Sequence, residues 1–164
     1  MSDDAASDLA IRRAAPADAA TLAGMRLEFR SAFRAPSEDD AEFLRRCTAW
    51  MAARLAQEGA WRCWVAERDG RVLGHIWAQR IEKIPNPVAE PESHGYITNL
   101  FVREEARGAG TGARLLEAAL AWCRDFGAHA VLLWPTDRSR TLYRRYGFEV
   151  REDVMELLLG ESGV

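Results

Sequence analysis

The 164-residue chain is long enough for one domain with a substantial core, and its 48% hydrophobic and 29% charged residues exclude a disordered polypeptide. A net charge of −3 lacks the basic footprint of a nucleic-acid binder, and no apolar run is long enough to cross a bilayer. Three scattered cysteines (Cys47, Cys63, Cys123) and three isolated histidines (His75, His94, His129) form neither a disulfide framework nor a metal cluster, so no metal is expected.

In chain order, Met1 to Asp8 is acidic and has no apolar signal segment. The expectation is a cytoplasmic protein with a loose tail over 1–8 and one domain over 9–164. Leu9 to Arg13 alternates as a short strand. Pro16 suits a first helical turn, and Leu22, Met25, Phe29 and Phe33 recur at helical spacing, which predicts a helix over 16–33 broken at Ala35-Pro36. Ser37 and Asp40 make a capping pattern for a second helix that buries Phe43, Leu44, Cys47, Trp50, Met51 and Leu55 and stops at Gly59. The acids Glu38, Asp39 and Asp40 read as helix-start carboxylates.

Trp61 to Arg68 and Val72 to Lys83 read as two strands joined by a type I′ turn at Asp69-Gly70. Pro85, Pro87 and Pro91 mark a loop, after which Tyr96 to Val102 is mostly apolar and is expected to be central in the sheet. A helix over Thr111 to Phe126 places Leu115, Leu116, Ala119, Leu120 and Cys123 on one face and ends at Gly127. His129 to Trp134 reads as a parallel strand covered on both faces. A two-turn helix over Ser139 to Tyr146 follows, and Phe148 to Val150 and Val154 to Leu159 are expected to finish the sheet. The fold class is α/β (α+β): one mixed central sheet, largely antiparallel, with helices on both faces.

The chemistry concentrates at Arg107-Gly108-Ala109-Gly110-Thr111-Gly112, between an apolar strand and a long helix. Glycines there leave backbone N–H groups unobstructed, the helix start adds a positive dipole, and Arg107 can pair with phosphate. Gly108-x-Gly110-x-x-Ala113 also fits a relaxed dinucleotide fingerprint. That reading fails on context, because five residues separate the strand from the first glycine and an antiparallel meander precedes it. Glycines that only permit close helix–strand packing are the bland alternative.

Arg107 to Gly112 resembles the Arg/Gln-x-x-Gly-x-Gly/Ala acetyl-CoA motif of the GNAT superfamily of N-acetyltransferases, preceded by a similar strand at Asn99-Leu100-Phe101-Val102. Leu142-Tyr143-Arg144-Arg145-Tyr146-Gly147-Phe148 resembles the family's Leu-Tyr-x-x-x-Gly-Phe signature. The resemblance implies acetyl-CoA as co-substrate, with its pyrophosphate on Arg107, Gly108, Ala109, Gly110, Thr111 and Gly112. It implies the pantetheine arm along Leu100, Phe101 and Val102, where the strand needs unpaired backbone groups, possible at a bulge near Asn99 and Leu100.

Tyr143 matches the family's general acid toward the departing thiolate. Thr136 stands where many members carry an Asn, which leaves Thr136 and Ser139 as cofactor contacts by their hydroxyls alone. For the base the choice stays open among Glu82, Glu92, His94 and a water on Asn99. Cys63 and Cys123 read as small hydrophobes rather than nucleophiles. The resemblance thus implies direct transfer of acetyl to a primary amine of a small molecule or peptide, with no nucleic-acid or membrane partner and a possible homodimer. A non-catalytic acyl-CoA-binding or sensor module on the same fold is the alternative.

Overall fold

In the computed structural model, residues 9–160 are described, so the expected tail over 1–8 lies outside the described residues. The elements are β1 (Ala10–Arg13), α1 (Ala19–Ser31), α2 (Asp40–Leu55), β2 (Trp61–Arg68), β3 (Arg71–Glu82), β4 (Ser93–Val102), α3 (Thr111–Asp125), β5 (Val131–Leu132) and α4 (Arg140–Arg145). Short 3₁₀ turns cover Pro16–Asp18 and Glu104–Ala106. The chain divides into two compact units, one running to Leu133 and one starting at Trp134.

The first unit holds a five-stranded sheet in the order β1-β2-β3-β4-β5. Every neighbouring pair is antiparallel except β4 with β5, which is parallel. The β2–β3 hairpin turns at Asp69 (φ 52°) and Gly70 (φ 73°), two positive φ values in a row, as a type I′ turn requires. Arg12 of β1 ties the strand down through Asp18 at 2.9 Å and Glu67 at 2.5 Å.

Strand alternation sends residues to two faces. On one, Leu22, Met25 and Met51 of α1 and α2 pack with Cys63, Val65 and Trp77. On the other, α3 lies over β2, β3 and β4, burying Leu115, Leu116, Ala119 and Cys123. Gly74 and Gly95 make room for it: a Cβ on Gly95 would stand 2.7 Å from Cys123 Sγ.

Four expectations from the sequence need correction. The cap of α2 is Asp39 rather than Ser37; its carboxylate accepts from the N–H groups of Ala41 and Glu42 at 3.1 and 3.2 Å. Of the residues α2 was expected to bury, only Met51 is fully covered, and Trp50 is 38% exposed. The strand expected over 129–134 is reduced to the two-residue edge strand β5, with Leu132 partly exposed, rather than a strand covered on both faces. Finally, 148–150 and 154–159 form no strand. Val154, Met155, Leu157 and Leu159 are exposed instead. Their apolarity suggested strands, but a strand exists only with a ladder partner, which apolar content does not specify.

The second unit is small. Its helix α4 is preceded by a turn in which the Ser139 hydroxyl accepts from the Thr136 N–H at 3.0 Å, and it ends at Gly147 with φ 85°.

Candidate active site

The distinctive feature of β4 is a break in its ladder with β3. His75 pairs with Phe101 and Trp77 with Thr98, so Asn99 and Leu100 together face Ile76 alone. This is a β-bulge at the place where unpaired backbone was expected. Asn99 takes a left-handed φ of 55°, a conformation that asparagine tolerates better than most residues. On the far side, β5 pairs only with Gly95 and Tyr96. From Ile97 onward, β4 has no strand partner there among the described residues, so its backbone edge at Leu100, Phe101 and Val102 is open to a ligand.

The glycine turn continues from this strand. Gly108 and Gly110 have φ values of 76° and 77°, and nothing lies within 4 Å of where a Cβ would stand on either. Gly110 caps α3, and the Arg114 N–H makes the first intrahelical bond, to the Gly110 carbonyl at 3.0 Å. The N–H groups of Thr111, Gly112 and Ala113 therefore precede the helical ladder and can turn to an anion. The Thr111 hydroxyl, by contrast, is buried and donates to the Ala106 carbonyl at 2.8 Å, so its side chain fastens the turn rather than meeting a ligand.

Arg107 donates through Nε to the Val102 carbonyl at 2.8 Å, which holds the guanidinium at the strand end. It borders an open cleft of about 450 Å³ lined also by Phe101, Arg103 and Arg71. Arg71 and Arg103 are each paired with a carboxylate, Glu105 and Glu28, at 2.9 Å.

On the α1–α2 face, Trp50, Trp61, Trp77 and Tyr96 form an aromatic wall with ring centroids 5.3 to 6.5 Å apart. Two residues before Trp77 on β3, His75 is fully buried beside the Phe101 ring, neither ring nitrogen has a protein partner, and burial pushes its pKa down to about 3. Sequence motifs do not single out Arg26, which reaches across from α1 and donates through Nη1 to Asn99 Oδ1 at 3.0 Å. A signal did exist: Arg26 stands four residues after Leu22 and three before Phe29, a charge on an otherwise apolar stripe.

In the second unit, Tyr143 is buried, with its ring 5.6 Å from that of Phe148. Burial raises its pKa, against a hydrogen bond with Ser139 that lowers it. The phenol therefore stays protonated at neutral pH. Ser139 and Thr136 also bond each other through their hydroxyls at 3.0 Å, the two residues in the motif's asparagine region.

The candidate bases do not gather at the bulge. Glu82 ends β3, Glu92 precedes β4, and both are exposed. His94 is five residues along β4 from Asn99, roughly 16 Å of strand, and stacks edge-on to His129 at 5.6 Å. Burial is the main cause that lowers its pKa. Burial also raises the thiols of Cys63, well above their ordinary value, and Cys123, to about 11, so neither is a thiolate nucleophile at neutral pH. Among the described residues no group of acidic, histidine or cysteine side chains is arranged to hold a metal, and no helix is long and apolar enough to cross a membrane.

The model of the acetyltransferase (GNAT) family matches residues 22–148. The uncharacterized N-acetyltransferase YhfO of Bacillus subtilis is 30% identical over 143 residues, covering 85% of this chain and 89% of that one. A mycothiol acetyltransferase of Cellulomonas flavigena is 37% identical over 89 residues, or 51% of this chain, and this chain spans only 25% of its length. Among solved structures, a predicted acetyltransferase with acetyl-CoA from Clostridium acetobutylicum shares the fold at a TM-score of 0.79 and 22% identity, over 96% of this chain and 100% of that one. A GCN5-related N-acetyltransferase from Ralstonia eutropha reaches 0.73 at 26% identity, over 93% and 100%.

Proposed function

Because the chain belongs to the acetyltransferase (GNAT) family, we propose that it moves the acetyl group of acetyl-CoA directly to a primary amine of a small molecule or peptide. The observation that carries this reading is the juxtaposition on β4 of a bulge at Asn99-Leu100 and an open strand edge that runs into an unobstructed glycine turn.

In this reading the N–H groups from Gly108 to Gly112, with Arg107, hold the pyrophosphate. The backbone of Leu100, Phe101 and Val102 bonds the pantetheine arm, and an N–H freed from the ladder at the bulge polarises the thioester carbonyl. The amine nitrogen bonds to the carbonyl carbon, the C–S bond breaks, and Tyr143 supplies a proton to the thiolate. The amine gives up its own proton to solvent. Ser139 bonds the Tyr143 hydroxyl and sets its direction, which makes it a positioning residue for the acid.

The test is thiol release from acetyl-CoA across a panel of amines. Turnover with at least one primary amine is expected, and Tyr143→Phe lowers kcat by roughly 10²-fold. Since burial lifts the phenol above its ordinary pKa of about 10, kcat should show no alkaline fall from this group below that pH. Binding of acetyl-CoA without turnover on any amine would instead make the protein an acyl-CoA sensor.

A further inference from the structure

We propose that Arg26 recognises an anionic group on the acceptor, so that the substrate is a compact amine bearing a carboxylate or phosphate. This rests on the acetyl-transfer reading for the identity of the site, though not for the existence of an anion subsite.

Arg26 is half-buried on the apolar stripe of α1, beside the fully buried Leu22 and Met25. Its only hydrogen bond among the described residues is the one to Asn99 Oδ1, and no carboxylate pairs with it. Several other half-buried arginines have a carboxylate or, for Arg54, the Trp50 ring 4.3 Å from its guanidinium. Arg12 has Asp18 and Glu67, Arg62 has Glu58, and Arg103 has Glu28. A guanidinium presents five donors in a planar fork, and at Arg26 one of them is used by the protein. Burial and the neighbouring Arg30 both disfavour its charge and depress its pKa. Taking a charge out of water without a counter-charge is unfavourable, so a cation kept in this position is satisfied by something outside the chain.

The place of Arg26 says which molecule that is. It touches the bulge residue itself, on the face carrying the Trp50–Trp61–Trp77 wall. The Trp77 indole N–H, on the strand beside the bulge, is likewise buried without a protein acceptor. The phosphates of a coenzyme have their own positive end beyond Val102, at Arg107 and the glycine turn, roughly 10 Å of strand from Asn99. The anion at Arg26 therefore comes from the acceptor. Asn99 directly precedes Leu100, so the anionic group and the reacting amine are separated by on the order of 10 Å or less. A bidentate carboxylate or phosphate fits the fork of an arginine better than it fits a lysine.

The experiment measures kcat/KM with acetyl-CoA for paired acceptors: α-amino acids against their amides, and phosphoethanolamine against ethanolamine. The first pair reports a carboxylate, the second a phosphate. The wild type is expected to favour the anionic member of at least one pair by about tenfold or more. Arg26→Gln keeps a donor for Asn99 and removes the charge; it should collapse that ratio toward one, through KM rather than kcat. Arg26→Lys should keep part of the ratio, and its melting temperature with that of Arg26→Gln shows whether each variant is folded.

A wild-type ratio at or below one in both pairs, or a ratio unchanged in Arg26→Gln while both rates fall together, overturns the proposal and leaves acetyl transfer standing. If no amine turns over, thermal shifts by the same anionic amines decide: a shift in wild type that Arg26→Gln loses supports the anion site although acetyl transfer fails. No shift overturns both.

Discussion

His75 shows how one side chain ties stability to pH. It is fully buried on β3 with both nitrogens unpartnered, and it stays neutral because its pKa falls from 6.5 to about 3. Between those values the unfolded chain binds a proton there that the folded chain does not, so stability rises with pH across this window and is lost on acidification. At pH 4.5, inside that window, the penalty from this residue is on the order of 3 kcal/mol. Asp18 is shifted in the same direction for the opposite reason: its hydrogen bonds from Arg12 favour the charged form, so its stabilising effect is complete above its ordinary 3.8 and is lost only as pH falls below that value. Urea unfolding at pH 7 and pH 4.5 should show a smaller loss in His75→Leu than in the wild type. Equal losses in the two proteins would rule out buried neutral His75 as the cause.

Among elements, the seat of α3 on β4 is the tightest joint. A Cβ at Gly95 would meet Cys123 Sγ at 2.7 Å and Val131 Cγ2 at 3.2 Å. Gly95→Ala should destabilise by about 1–3 kcal/mol, and Cys123→Ala in the same chain should recover part of that loss. A double-mutant cycle with no coupling between the two sites would remove this steric account. The regular elements were legible because their signals are local. The stripe from Leu115 to Cys123 gives α3, and Asp69-Gly70 gives the hairpin. The cap of α2 was misread because three adjacent acids follow Ser37, any of which can face the first N–H groups. The bulge was anticipated through the family resemblance, yet its partner was not. Arg26 and Asn99 are 73 residues apart, and no periodicity links them.

Taken whole, the molecule joins a well-packed sheet unit to a short second unit whose final stretch was expected as strand and is not one. From Val154 to Leu159 the chain reads Val-Met-Glu-Leu-Leu-Leu, with Met155 96% and Leu159 90% exposed. These side chains contribute little to folding, so Leu159→Ala should shift stability by less than about 0.5 kcal/mol, whereas Leu116→Ala, fully buried under α3, should cost about 2–5 kcal/mol. Chemical denaturation of the two variants checks both figures. The same stretch has a colloidal consequence. Six residues with one charge, no proline and no ladder partner are a template for strand pairing between molecules. Light scattering should rise with protein concentration, and Leu157→Lys with Leu159→Lys should suppress it without moving the unfolding midpoint. The shelf life of a concentrated stock would then be set by these few side chains rather than by the core.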